Sequence, residues 1–330
     1  MRLITCLCMF LALPPIAAFA EERSKAPTIE AEIIGRYPGS LATIPYAIND
    51  RGQVVGIAVT GTGLTGFIAF IWSRQTGFEL IQPDAVPTDI NERGDVTLQV
   101  WLNCDQNCVV RGAVWNRTTG LVDLGTPLPE AINNRGDIAA IWCNGTDGPA
   151  AVCVIRNGIR SDLDCDEFCW LSGINESGDA VGSVRLSEQD RGLLLPHQGG
   201  VILLDSLAAA YDLDNSGNIA GQLYGNQGFA NPAAVVTRDG TRQLTEGVGR
   251  ALAINGRGWI VGTQAGYEFD GTQSVYRSRA FLYRLLDSTV EYLAPDPSFS
   301  TAVDINARGE ILGSLNSGVS PQLVIWRAAK

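Results

Sequence analysis

The chain has 330 residues, 45% of them apolar and 18% charged, with a formal net charge of −11 at pH 7. Such a composition excludes a disordered protein, and the negative charge argues against nucleic acid and anionic lipid surfaces as partners. The length exceeds one ordinary core, so either two domains or one repeat array is expected.

Residues 1–20 read as a secretory signal. Arg2 gives the positive end, an apolar run of about a dozen residues follows, and Ala18-Phe19-Ala20 forms a small-x-small cleavage site. That run is too short to span a bilayer and is broken by Pro14-Pro15. Cleavage takes the 24 basic residues to 23 against 35 acidic ones, a net −12. Residues 21–27 are expected to be a short linker, and 28–330 one domain.

That domain is written in copies. "AINDRGQVVG" (47–56) returns as "DINERGDVTL", "AINNRGDIAA", "GINESGDAVG", "DLDNSGNIAG", "AINGRGWIVG" and "DINARGEILG". The central residues are Asn49, Asn91, Asn133, Asn175, Asp214, Asn255 and Asn306, at steps of 42, 42, 42, 39, 41 and 51 residues. Each copy opens on a hairpin and continues through a strand, a short turn and a strand, as in "FIAFIWSRQTGFEL". Four antiparallel strands in about 42 residues make a propeller blade. The Asn can bond backbone two residues on, and the Gly three residues later takes positive φ. That Gly is kept in all copies: Gly52, Gly94, Gly136, Gly178, Gly217, Gly258 and Gly309.

The last unit stops one strand short, while "TIEAEIIGRY" (28–37) precedes the first hairpin. The expected fold is therefore an all-β, seven-bladed propeller whose N-terminal strand completes the last blade and removes the open edges.

The unit "AINDRGQVVG…FIAFIWSRQTGFEL" resembles the HAF-type extracellular repeat of bacteria, which couples such a hairpin to an "AFlW" strand. The resemblance covers about Thr28 to Lys330 and is carried best by 68–72, 111–115 and 279–283. The family's strand histidine is replaced by Ile68, Gly112 and Arg279. The resemblance implies export and a propeller-like fold, and no particular activity.

Past the leader, six cysteines remain, spaced Cys104-x3-Cys108, Cys143-x9-Cys153 and Cys165-x3-Cys169. An even set in an exported chain reads as disulfides, the short gaps favouring sequential pairing. The rival is an all-cysteine zinc site, since the single histidine, His197, lies away from all three pairs.

Candidate chemistry is sparse. Arg51, Arg93, Arg135, Arg257 and Arg308 occupy matching turn positions as an anion candidate, but acids stand beside them. Two Arg-Gly-Asp triplets, 93–95 and 135–137, follow from the repeat itself. Asp212, Asp214 and Ser216 resemble the start of a calcium loop without its closing acid. His197 lacks a triad context, and no sialidase-type Asp-box occurs. A carboxylate pair such as Asp164 with Asp166 or Glu167 could serve a glycosidase or lyase.

The unit-specific connections fall on the opposite face, where the three cysteine loops and the long connection 263–278 lie. Tyr267, Phe269 and Tyr276, with Tyr224 and Phe229 from the preceding blade, are the ligand-binding candidates. The expected function is a non-catalytic, monomeric binding or scaffold module. Its ligand would be an extracellular or periplasmic glycan or protein, with no cofactor. The alternatives are a polysaccharide hydrolase or lyase and a calcium-dependent adhesion module.

Overall fold

The computed structural model describes residues 29–61, 66–104, 108–144, 151–165, 167–224, 231–269, 272–294, 299–316 and 320–328. The expected leader and linker lie outside them. The described residues form seven sheets of four antiparallel strands each and no helix. Blades 1 to 6 span 42–83, 85–125, 128–164, 168–204, 207–243 and 248–292. Blade 7 takes its first three strands from 299–328 and its outermost from Ile29–Gly35, antiparallel to Gln322–Ala328. The first strand of every blade touches the first strands of both neighbours, blade 7 against blade 1 included. The protein is a closed seven-bladed β-propeller.

The apolar pattern explains the stacking. Successive residues of a strand point to opposite faces of its sheet, and each blade is covered on both faces. Val54 packs in the gap between blades 7 and 1, and Val55 in the gap between blades 1 and 2. Ile260 and Val261 divide likewise between gaps 5/6 and 6/7. Buried clusters fill all seven gaps. This is why second strands such as Val54–Val59 and Ile138–Ile141 read as continuous apolar runs instead of alternating ones. Close approach adds a glycine requirement in the same strands: a Cβ on Gly182 would lie 1.9 Å from the carbonyl oxygen of Trp170.

The repeated turn does two jobs. Within its own blade, Asn49 Oδ1 accepts the N–H groups of Arg51 (3.1 Å) and Gln53 (3.0 Å), while Gly52 takes φ 72°. Its Nδ2 then donates to Gln53 Oε1 (2.9 Å) and to the backbone oxygen of Asn91 in blade 2 (3.0 Å). The interblade bond recurs from Asn91 to Asn133, Asn133 to Asn175, Asn175 to Asp214, Asn255 to Asn306 and Asn306 to Asn49. Asparagine amides thus run round the ring with one missing link, from Asp214 to Asn255.

A second set of straps lies two residues earlier. Asp89, Asp212 and Asp304 each accept their neighbour's N–H and one from the next blade, at Ile132, Ile254 and Ile48. Every first strand carries a register shift just before this position. The extra residue of each bulge turns to the ring axis.

The cysteines pair sequentially: Cys104–Cys108, Cys143–Cys153 and Cys165–Cys169. The stretch 263–278 differs from expectation. It is not a loop but the arm of a long hairpin, Trp259–Phe269 against Ser274–Arg284, with Tyr267 opposite Tyr276. Its Thr, Tyr, Phe and Val residues favour extended backbone and carry the ladder past Gly266, which reads locally as a breaker.

Blade 5 also reverses the local pair: Asn218 Nδ2 donates to Asp214 Oδ2 (2.8 Å), where Asn91 donates to Asp95 (3.0 Å). The paired exchange Asp214→Asn with Asn218→Asp should restore the common arrangement and supply the missing amide bond. At about 1 kcal/mol for one net hydrogen bond, the melting temperature should rise by about 2 °C. Asp214→Asn alone should gain less, because two amide groups would then face each other. Thermal unfolding of the two variants checks this.

Candidate functional site

The ring has two unlike ends. The first-to-second and third-to-fourth turns share one end; the second-to-third connections and the blade crossings share the other.

At the turn end, charges are mostly paired. Arg93 meets Asp95 at 2.6 Å, Arg135 meets Asp137 at 2.7 Å and Arg308 meets Glu310 at 2.6 Å. Arg257 lies over the Trp259 ring at 5.8 Å. Both Arg-Gly-Asp triplets therefore turn their acid inward; Asp95 and Asp137 are buried and held by the preceding Asn and Arg. His197 is exposed, with Nδ1 3.1 Å from Asp179 Oδ1. Of the calcium candidates, Asp212 is committed to Leu213 and Ile254. Asp214 accepts the N–H groups of Ser216 (2.8 Å) and Asn218 (2.9 Å). Among the described residues, no His, Cys, Asp or Glu group of three is placed to hold a metal ion.

Along the axis runs a cavity of about 140 Å³. One tier of its wall is the bulged residues, including Tyr46, Thr88, Glu130, Ser172 and Tyr211; the next holds Asp89, Asp212 and Asp304. Protein surrounds these three carboxyls, and the surface they keep faces the channel. Burial pushes them up despite the opposing backbone N–H bonds: Asp89 to about 6, Asp212 to about 7 and Asp304 to about 8. Asp304 also feels the charges of Asp89 and Asp212. Burial raises Glu130 to about 7, opposed by the bond from Gln99 Nε2 (2.7 Å). No local sequence signal marks this site, because its acids, Asp89, Glu130, Asp212 and Asp304, come from four different blades and converge only when the ring closes.

The crossing end carries the exposed aromatics. Among the described residues six aromatic side chains are exposed: Trp142, Phe168, Tyr224, Tyr276, Tyr292 and Phe299. All six lie at strand ends on this side. Leu102 and Val109 flank the Cys104–Cys108 loop, Trp142 precedes Cys143, and Phe168 precedes Cys169 with its ring 5.4 Å from that of Trp170. Of the sequence candidates, Tyr224 and Tyr276 stand here, with the Tyr224 hydroxyl donating to the Asp190 carbonyl. Tyr267 and Phe269 have their backbone in the long hairpin. Phe229 and Asp166 lie outside the described residues. Asp164 accepts a bond from Asn144 Nδ2 (3.0 Å), and Glu167 is exposed. Trp142, Phe168, Tyr292 and Phe299 were missed by sequence reasoning; adjacency to a cysteine would have found the first two.

No family model and no curated protein matches this chain. Solved structures do. A streptogramin B lyase superposes with a TM-score of 0.55 at 12% identity, covering 91% of this chain and 98% of that one. Acylaminoacyl peptidase from Pyrococcus horikoshii gives 0.58 at 11% identity, covering 86% of this chain and 51% of that one. A puromycin hydrolase gives 0.54 at 13%, covering 89% and 54%. The shared feature is the propeller fold. The chain spans about half the length of the latter two proteins, and at such identity the likeness reaches no further than architecture.

The channel acids set a pH dependence. Their folded-state pKa values lie above the ordinary carboxylate value near 4, so the folded ring holds protons that the unfolded chain releases. Their contribution to stability is complete below about pH 4 and is lost as pH rises through about 6, 7 and 8. Each carboxyl adds a slope of up to about 1.4 kcal/mol per pH unit in that window. Melting temperature should therefore fall between pH 5 and 8.5, and Asp304→Asn should flatten the fall. A slope unchanged in the variant, measured by calorimetry, would contradict the assignment.

Proposed function

We propose that the protein is an exported binding module whose contact surface is the crossing end of the propeller, with a glycan or protein as ligand. The observation that carries this reading is the placement of all six exposed aromatic residues on the end that also bears the three disulfides, with Trp142 and Phe168 directly beside a bridged cysteine. Aromatic rings supply large contact area at low entropic cost and are enriched at the energetic centres of interfaces. Three disulfides suit an oxidising compartment, extracellular or periplasmic, and the described residues contain no helix that could cross a membrane. Export also agrees with the resemblance to HAF-type repeats.

The test is a binding screen of the whole protein against polysaccharides and secreted proteins, repeated with Trp142→Ala/Phe168→Ala. Loss of tenfold or more in affinity, about 1.4 kcal/mol, is expected without a change in melting temperature. Undiminished binding by that variant would remove the crossing end as the contact surface.

A second reading rests on Glu130. A carboxyl raised to about 7, lining the channel with Tyr46 and Ser172, has the titration range of a general acid. The remaining channel carboxylates have both oxygens engaged by backbone N–H groups, which weighs against a catalytic pair. If the protein cleaves extracellular polysaccharide, Glu130→Gln should lower kcat by at least about a hundredfold. Reducing-end and unsaturated-product assays would read it.

A further inference from the structure

The turn end carries one unfilled position. At four of the five ring arginines, the guanidinium is met by the side chain two residues on: Asp95, Asp137, Glu310 or Trp259. At Arg51 that residue is Gln53, whose Oε1 is taken by Asn49 Nδ2 (2.9 Å). Among the described residues the Arg51 guanidinium makes no hydrogen bond and no ion pair; only its backbone N–H is engaged, by Asn49 Oδ1. Glu92 feels its charge, but Glu92 Oε1 accepts the Asp50 N–H at 2.6 Å.

Its position breaks the ring pattern as well. Arg93, Arg135 and Arg308 each lay Nη2 against the turn glycine of the next blade, 2.7, 2.7 and 3.0 Å from where a Cβ would sit on Gly136, Gly178 and Gly52. At Gly94 the corresponding neighbour is Gln53 Oε1 at 3.7 Å, not Arg51. Arg51 instead borders two grooves of about 590 and 500 Å³. The paired residues around these grooves also present positive charge outward. The Arg93 and Arg308 side chains are 52 and 50% exposed, while their partners Asp95 and Glu310 are 13 and 9%. Arg117, held by Glu79 through two bonds of 2.7 Å, and the Trp115 ring complete the larger groove.

We propose that Arg51 is the anchor of an oxyanion site at the turn end between blades 1 and 2, and that its ligand is an acidic saccharide. The carboxylate of a uronate, or a sulfate ester in the same place, pairs with the Arg51 guanidinium, and the sugar ring lies in the groove beside Trp115. A planar guanidinium binds such an oxyanion through two parallel N–H bonds. The exposed arginines around it supply a local positive field on an otherwise acidic protein. The site lies at the other end of the ring from the aromatic surface and does not depend on it.

The test is calorimetric titration of the full protein at low salt with a galacturonate tetrasaccharide, its methyl ester and a sulfated tetrasaccharide. The wild type should bind an anionic probe and not the methyl ester; binding of the sulfated probe alone would keep the site and name sulfate as the oxyanion. Arg51→Gln should lower the affinity at least tenfold. Gln53→Asp, which gives Arg51 the partner its counterparts have, should do the same without lowering the melting temperature. Arg135→Gln, on another part of the ring, should bind as the wild type does. No binding of either anion, equal binding of the methyl ester, or undiminished binding by both Arg51→Gln and Gln53→Asp would overturn the proposal.

Discussion

The side-chain amide of the repeated asparagine is the interaction on which the ring depends. An asparagine offers two acceptor sites and two donors, and Asn49 uses all four. Two bonds fold its own turn, one ties it to the residue four positions on, and one reaches the backbone of the next blade. The ring asparagines are only 2–6% exposed, so each unmade bond would leave a buried polar group unsatisfied. Serine could not reach across the gap, and aspartate cannot donate. Blade 5 shows the consequence: with Asp214 in place, the amide moves to Asn218 and the link to blade 6 is lost. One residue type thereby couples local turn formation to ring closure.

The sequence disclosed the turn role but not the link. The Asn–Gly spacing carries the Asx geometry directly, because all its partners lie within four residues. The acceptor of Nδ2 is the counterpart asparagine a whole blade away, and only the closed ring brings the two together. Blade number, strand count and the closing strand were legible for a similar reason: each follows from counting copies and noticing that the two ends complement each other. The arm at 263–278 was misread because Gly266 signals a break locally, whereas cross-strand pairing along eleven residues outweighs it. The channel was illegible altogether. Its wall is made by one bulged residue per blade, and a bulge is a property of the pairing, not of the strand.

The departures from symmetry carry the chemical information. Asp89, Asp212 and Asp304 occur in three of the seven copies at a position where the others have Ala or Gly. Where they occur, their carboxylates strap one blade to the next through backbone N–H groups, and their confinement raises the cost of ionising all three. Arg51 is the converse case. With an amide, Gln53, where Arg93, Arg135 and Arg308 have an acid, the cation at Arg51 is left uncompensated. Within a repeat of this kind, a residue that keeps its place but loses its partner is a stronger pointer than any residue judged alone.

The two ends of the propeller therefore differ in physical state as well as in sequence. At the turn end, most polar groups have found partners inside the protein, and binding there requires a ligand that matches the little charge left over. At the crossing end, aromatic surface remains in water, beside connections that the disulfides restrain. Restraint lowers the entropy a loop still has to lose when it meets a partner. A disulfide in a surface connection makes a limited contribution to a fold already closed by seven packed gaps, but it can keep Trp142 and Phe168 positioned for contact. That the three bridges gather over blades 2 to 4, instead of being spread round the ring, fits a role in recognition better than a role in holding the ring together.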